Sequence, residues 1–142
     1  MQGLSIGLRE TGHMPAYEQT TRGIRVRALP MFLPDQSNPE ERRFLWSYTI
    51  TIENHGGETV QLIARYWKIT DENGRMQEVR GPGVVGAQPV LEPGEEFEYT
   101  SWCMIATPDG SMRGSYQMLT PDGDRFDAEV APFKLAQSTL LN

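Results

Sequence analysis

The sequence predicts an all-β domain, an antiparallel sandwich or barrel of five to eight short strands, and three observations carry that expectation. Apolar and polar residues alternate with a period of two in several segments, Gly-containing turn dipeptides separate those segments, and nothing keeps a helical period over any length. A chain of 142 residues is enough for one such domain with its own core.

The clearest strand is RFLWSYTITIEN, in which Phe44, Trp46, Tyr48, Ile50 and Ile52 form one apolar face and the intervening residues are mostly polar. In GIRVRA the inward residues are Ile24, Val26 and Ala28, and in RFDAEV they are Phe126, Ala128 and Val130. The run VQLIARYWKIT is apolar on both faces, which fits a central strand covered on each side or one broken by a bulge; its register stays open. In EFEYTSWCMI, Phe97, Tyr99, Ser101, Cys103 and Ile105 share one face, which places Trp102 on the other as a surface aromatic. The dipeptides Asn73-Gly74, Pro93-Gly94, Asp109-Gly110 and Asp122-Gly123 supply turns. The two TPDG copies, at 107–110 and 120–123, are expected to end successive hairpins.

Composition excludes several functions. A formal charge of −6 repels a phosphate backbone, so nucleic acid is not an expected partner. No apolar run is long enough for a membrane span, and the single Cys103 allows no internal disulfide, which fits a cytoplasmic protein. Gly12-His13-Met14 resembles a cloning scar, so residues 1–13 are left out of the fold and the domain is set at 21–136, between tails at 1–20 and 137–142. His13 and His55 are the only histidines, so neither a His-based metal centre nor a Ser-His-Asp triad has its parts. Cys103 on an apolar face is expected to be an inert thiol, and the carboxylates of DGDRFD at 122–127 lack the spacing of a calcium loop. Between residues 92 and 129 the acids are opposed only by Arg113 and Arg125.

GPGVVG at 81–86 has the G-x-G-x-x-G pattern of a dinucleotide loop. That loop must open a helix, and Pro93 twelve residues after Gly81 would break one, so a Rossmann unit is not expected. Two readings remain. The backbone amides of Gly81, Gly83, Val84, Val85 and Gly86 could converge on an anion, assisted by Arg80, Arg65 and Lys68; alternatively, the glycines let a crossing loop pack against the sandwich, with Val84 and Val85 plugging its end.

Together TRGIRVRALPMFLPDQS, RFLWSYTITIEN, VQLIARYWKITDENG, GPGVVGAQPVLEPGEEFEYTS, TPDGSMRGSYQM and APFKL resemble the ApaG (CorD) family over residues 21–135. The resemblance implies a fibronectin type III-like, immunoglobulin-like two-sheet sandwich of seven or eight strands, and it places Gly81, Gly83 and Gly86 in the family's own glycine segment. It also implies a non-catalytic domain linked to cobalt and magnesium homeostasis, acting as a protein-interaction module or holding a pyrophosphate-like or nucleotide ligand, with a Mg or Co ion as its cofactor in the second case. This chain departs from the pattern after Tyr99-Thr100-Ser101, where Trp102 and Cys103 stand in place of an expected glycine. Trp102 and Trp67 are therefore the candidate contacts for a protein partner, and the open sheet edges would also permit a homodimer.

Overall fold

The computed structural model describes residues 17–137. Nine strands follow one another: β1 (Tyr17–Thr21), β2 (Ile24–Phe32), β3 (Phe44–Asn54), β4 (Val60–Asp71), β5 (Met76–Pro82), β6 (Val90–Leu91), β7 (Glu96–Ile105), β8 (Gly110–Leu119) and β9 (Arg125–Leu135). They form two antiparallel sheets, the first ordered β1-β2-β3-β7 and the second β5-β4-β8-β9, with β6 beside the start of β4. The architecture is the expected sandwich with one strand more than the upper expectation. The additional pairing is short: Val60 with Leu91 and Gln61 with Val90. β1 begins within the stretch assigned to the N-terminal tail, while residues 1–13, read as ending in a cloning scar, lie outside the described residues.

Alternation set the faces as expected on β2, β3, β7 and β9, because each strand has one apolar side that only the inter-sheet space can hold. Ile24, Val26 and Ala28 are buried opposite Ile50 and Ile52 of β3, and Ala128 and Val130 enter the core from β9. The two sheets also meet through a polar contact, a hydrogen bond between the hydroxyls of Tyr99 on β7 and Tyr116 on β8. Burial pushes both hydroxyls above the usual tyrosine range, so the pair stays neutral and bonded at any physiological pH.

β4 resolves the ambiguity of its sequence through a bulge at Ile63, between Leu62 and Ala64. Past the bulge, Trp67 and Ile69 point into the core, and Tyr66 and Lys68 point out. Trp67 is thus no surface contact: it is 2% exposed, edge-on to Tyr48 of the first sheet and to Tyr116 and Phe133 of the second. Trp102, 60% exposed, lies on the outer face as alternation required.

The turns divide into two kinds. Asn73-Gly74 closes the β4–β5 hairpin, and the second TPDG closes β8–β9 with a 3.0 Å bond from the Gly123 amide to the Thr120 carbonyl. The first TPDG is not a hairpin end, because it carries the chain from β7 in one sheet to β8 in the other. Its corner is tied down by side chains instead: Thr107 Oγ1 donates to the Asp109 carbonyl and accepts from the Glu72 amide.

On the outer face of the first sheet, Glu53 accepts from Arg25 Nε at 2.8 Å and lies 2.7 Å from His55 Nε2. Burial alone would raise its carboxyl, but the hydrogen bonds from His55 and Arg25 outweigh it and hold the group below the usual glutamate range.

Two outcomes follow. Trp67→Ala should cost about 3–5 kcal/mol of stability in urea unfolding, whereas Trp102→Ala should change it by less than about 1 kcal/mol. Because the folded Glu53 carboxyl titrates below its unfolded value, its stabilisation is present above the usual glutamate pKa and lost as pH falls through the folded one. The urea midpoints of the wild type and Glu53→Gln, well separated at pH 7, should therefore draw together toward pH 3.

Candidate functional site

The glycine segment is a tight hairpin, and its geometry accounts for each glycine. The amide of Val84 donates to the Ala87 carbonyl and that of Ala87 to the Val84 carbonyl, both at 2.8 Å, enclosing Val85 and Gly86 as a two-residue turn. Both residues have positive φ, 41° and 82°, as a type I′ turn requires. Gly83 has φ 59°, and a Cβ there would fall 2.2 Å from the Ala87 carbonyl oxygen. Gly81, at the end of β5, is covered by the Arg65 guanidinium, which would lie 3.0 Å from an added Cβ.

The amides do not converge on an empty point. Gly83 N–H donates to the Ile63 carbonyl at 2.8 Å, Val84 N–H is used in the turn, and Gly81 sits in the β4–β5 ladder opposite Arg65. Among the described residues the tip amides of Val85 and Gly86 are the loop donors left over. Val84 is fully buried and seals the end of the core, as the packing reading expected; Val85 is 61% exposed and seals nothing.

Nor do the three cations gather at the loop. Arg65 reaches it from β4, donating through Nη1 to the carbonyls of Pro82 and Gly83, both at 3.0 Å, so that its charge is spent on oxygens of the chain. Arg80 and Lys68 lie on the outer face of the second sheet. Arg80 stacks 4.3 Å above the Tyr66 ring, and the Tyr66 hydroxyl donates to Glu78 at 2.5 Å. Lys68 stands between Glu78 of β5 and Arg113 of β8 in the ladder.

That outer face is concave, a trough of about 910 Å³ crossing β5, β4, β8 and β9. Its floor is small, with Ala64 and Ser115 beside Gly114, whose α-carbon lies close under the β4 backbone: a Cβ there would fall 2.1 Å from the Tyr66 carbonyl oxygen. Arg80 and Arg113 line one end, Asp127 and Glu129 the other. Arg113, Asp127 and Glu129 were not among the expected site residues. Alternation places all three outward on their own strands, but only the strand order, β5-β4-β8-β9, brings them to one trough.

The outer face of the first sheet is different. Its polar end holds Arg25, Glu53 and Glu98; its other end is apolar, with Met31 in register with Ser47 and Ser47 with Trp102, while Leu45 pairs with Met104 one rung further. Leu29, Met31, Trp102 and Met104 are all exposed. On the inner side of the same strand, Cys103 is the inert thiol expected: burial pushes it up to about 12.

No group of three or more His, Cys, Asp or Glu among the described residues is arranged to hold a metal ion, and no helix is long and apolar enough to cross a membrane. Residues 34–120, which run from the turn after β2 through β8 and include the glycine hairpin, match the ApaG domain. The chain belongs to the ApaG family. It is similar to Protein ApaG of Rhodospirillum centenum, 57% identical over 119 residues, covering 84% of this chain and 92% of that one. A similar match, 56% identical over 120 residues, is Protein ApaG of Caulobacter vibrioides, covering 84% and 86%. Among solved ApaG-like folds, a crystal structure from Bordetella pertussis described as an ApaA protein is 44% identical, covers 87% of this chain and 96% of that one, and superposes with a TM-score of 0.78.

Val85 is β-branched at a left-handed φ, a conformation that costs about 1–2 kcal/mol for an L-residue. Val85→Asn, the residue type I′ turns favour, should therefore raise stability by about 1 kcal/mol in urea unfolding. Gly83→Ala should lower it by more than about 2 kcal/mol.

Proposed function

We propose that this ApaG domain is a non-catalytic interaction module that docks a protein partner through the apolar end of its first sheet. The observation that carries this reading is the exposed strip of Leu29, Met31, Trp102 and Met104 across β2 and β7. Exposed aromatic and Met side chains grouped on one sheet face, with a polar cluster at its far end, have the composition of a protein contact surface. Trp102 supports it further: the residue contributes almost nothing to the core, yet the chain keeps its largest side chain in solvent where a smaller one would fold as well.

The link to cobalt and magnesium homeostasis enters through the partner in this reading, in the cytoplasm, where Cys103 remains a thiol. The alternative, a phosphate sensor at residues 80–86, draws less support because most of the loop amides already donate within the protein. The two readings separate in one experiment. Trp102→Ala and Met104→Ser should keep the wild-type urea midpoint while losing at least about tenfold in affinity for the protein partner, as expected of a central aromatic contact. Equal retention of the partner by wild type and both variants would sink the reading.

A further inference from the structure

The trough on the second sheet lies on the side of the sandwich opposite Trp102, and apart from Arg80, which lies 4.0 Å from the Glu78 carboxylate, its charges are left unpaired among the described residues. Lys68, which stands beside the trough on β4, and Arg113, which lines it, are directly opposite one another on neighbouring strands, an arrangement of like charges that costs rather than contributes stability. Neither makes an ion pair or side-chain hydrogen bond among the described residues. At the other end the carboxylates of Asp127 and Glu129 pair with no cation among the described residues. In a chain of net charge −6, which has acids to spare, Lys68 stands across the ladder from Glu78 and yet neither it nor Arg113 is ion-paired among the described residues, so the fold's own stability gives no account of the two cations side by side.

Strand order fixes the spacing. Tyr66 pairs with Arg80 and with Ser115, and Ser115 pairs with Glu129, so Arg80 and Glu129 end one row across four strands. Three inter-strand steps come to about 14 Å, and the two steps from β4 to β9 to about 10 Å. An extended chain rises about 3.3 Å per residue, so three to four residues span the same distance. Ser115 and the amide side chains of Gln19 and Gln88 line the trough between the charges and offer both donors and acceptors. A concave floor of small residues admits a chain lying in it, whereas a second copy of this same concave face would meet it only at the rims.

We propose that the trough holds an extended peptide segment of a partner protein, laid across the strands with an acidic side chain toward Lys68, Arg80 and Arg113 and a basic one, three or four residues on, toward Asp127 and Glu129. This site is independent of the Trp102 face, so the module would join two partners, and either surface can fail without the other.

The test uses ¹⁵N-labelled protein and three blocked heptapeptides with a Gly-Ser-Gly centre: one with two glutamates before it and two lysines after it, one with four glutamates, one with four lysines. The dipolar peptide should give saturable amide shifts confined to β4, β8 and β9 around Tyr66, Ser115 and Glu129, at least threefold tighter than either single-sign peptide and weaker in high salt. Arg113→Gln and Asp127→Asn with Glu129→Gln should each remove that preference, with Trp102→Ala leaving it intact. Equal binding of the four-glutamate peptide would make the trough a plain anion site, and equal binding of the four-lysine peptide a plain cation site. Either result overturns the proposal, as does the absence of localised shifts at 10 mM peptide. So does sedimentation showing that a dimer of the chain, dissociated by Arg113→Gln, already covers this face.

Discussion

The indole of Trp67 packed over Gly114 is the contact on which the remaining architecture depends. A Cβ at Gly114 would come within 2.8 Å of the indole and 2.1 Å of the Tyr66 carbonyl, so β8 can run this close to β4 only with glycine there. The indole then meets Tyr48 from one sheet and Tyr116 and Phe133 from the other, which makes it the side chain through which the two layers are packed. Its inward position fixes the parity of β4. Tyr66 and Lys68 must therefore face outward, and Arg80 with them across the β5 ladder. The cationic end of the trough is a consequence of where the core put Trp67.

The same parity explains what happened to the glycine loop. Arg65, two residues before Trp67, points to the inner side of β4, where it reaches the end of the sandwich and donates to the carbonyls of Pro82 and Gly83. Those oxygens would otherwise repel an anion, and bonding them uses the charge that an anion site would have needed. The hairpin behind it closes with Val84 in the core. Three glycines at fixed spacing thus answer three separate demands: room beneath a guanidinium, a close carbonyl and a left-handed turn position.

Much of this was legible in the alternation of single strands. Ile24, Val26, Phe44, Trp46 and Ile52 point inward because the residues between them are mostly polar, and Trp102 points outward because Tyr99 and Ile105 share the opposite parity. Trp67 was not legible, since residues 60–70 are apolar on both sides and the bulge at Ile63 reverses parity without a proline or glycine to mark it. The two TPDG turns show a second limit. Identical residues supply identical local backbone preferences, but one turn leads back into the same sheet and the other crosses to the second, a choice made by the strands on either side. Arg113, Asp127 and Glu129 could each be assigned outward from their own strands, and their meeting in one trough depends on which strands become neighbours, a long-range fact that no short window contains.

Charge distribution follows from that neighbour order as well. The acids between 92 and 129 look like one block along the chain, but β7 carries Glu96 and Glu98 to the first sheet and β9 carries Asp127 and Glu129 to the second. Each face then meets its acids differently. On the first sheet Glu53 is drawn into a cluster with Arg25 and His55, and Glu98 accepts from Thr51 Oγ1, so the polar end is internally satisfied and leaves the apolar end as the face's open chemistry. On the second sheet Arg80 pairs with Glu78, while Lys68, Arg113, Asp127 and Glu129 make no ion pair among the described residues, and the open chemistry is the charge itself. A sandwich needs only its inner faces to fold. That its two outer faces remain unsatisfied in different ways is the reason to look for separate occupants on each, one apolar and one dipolar.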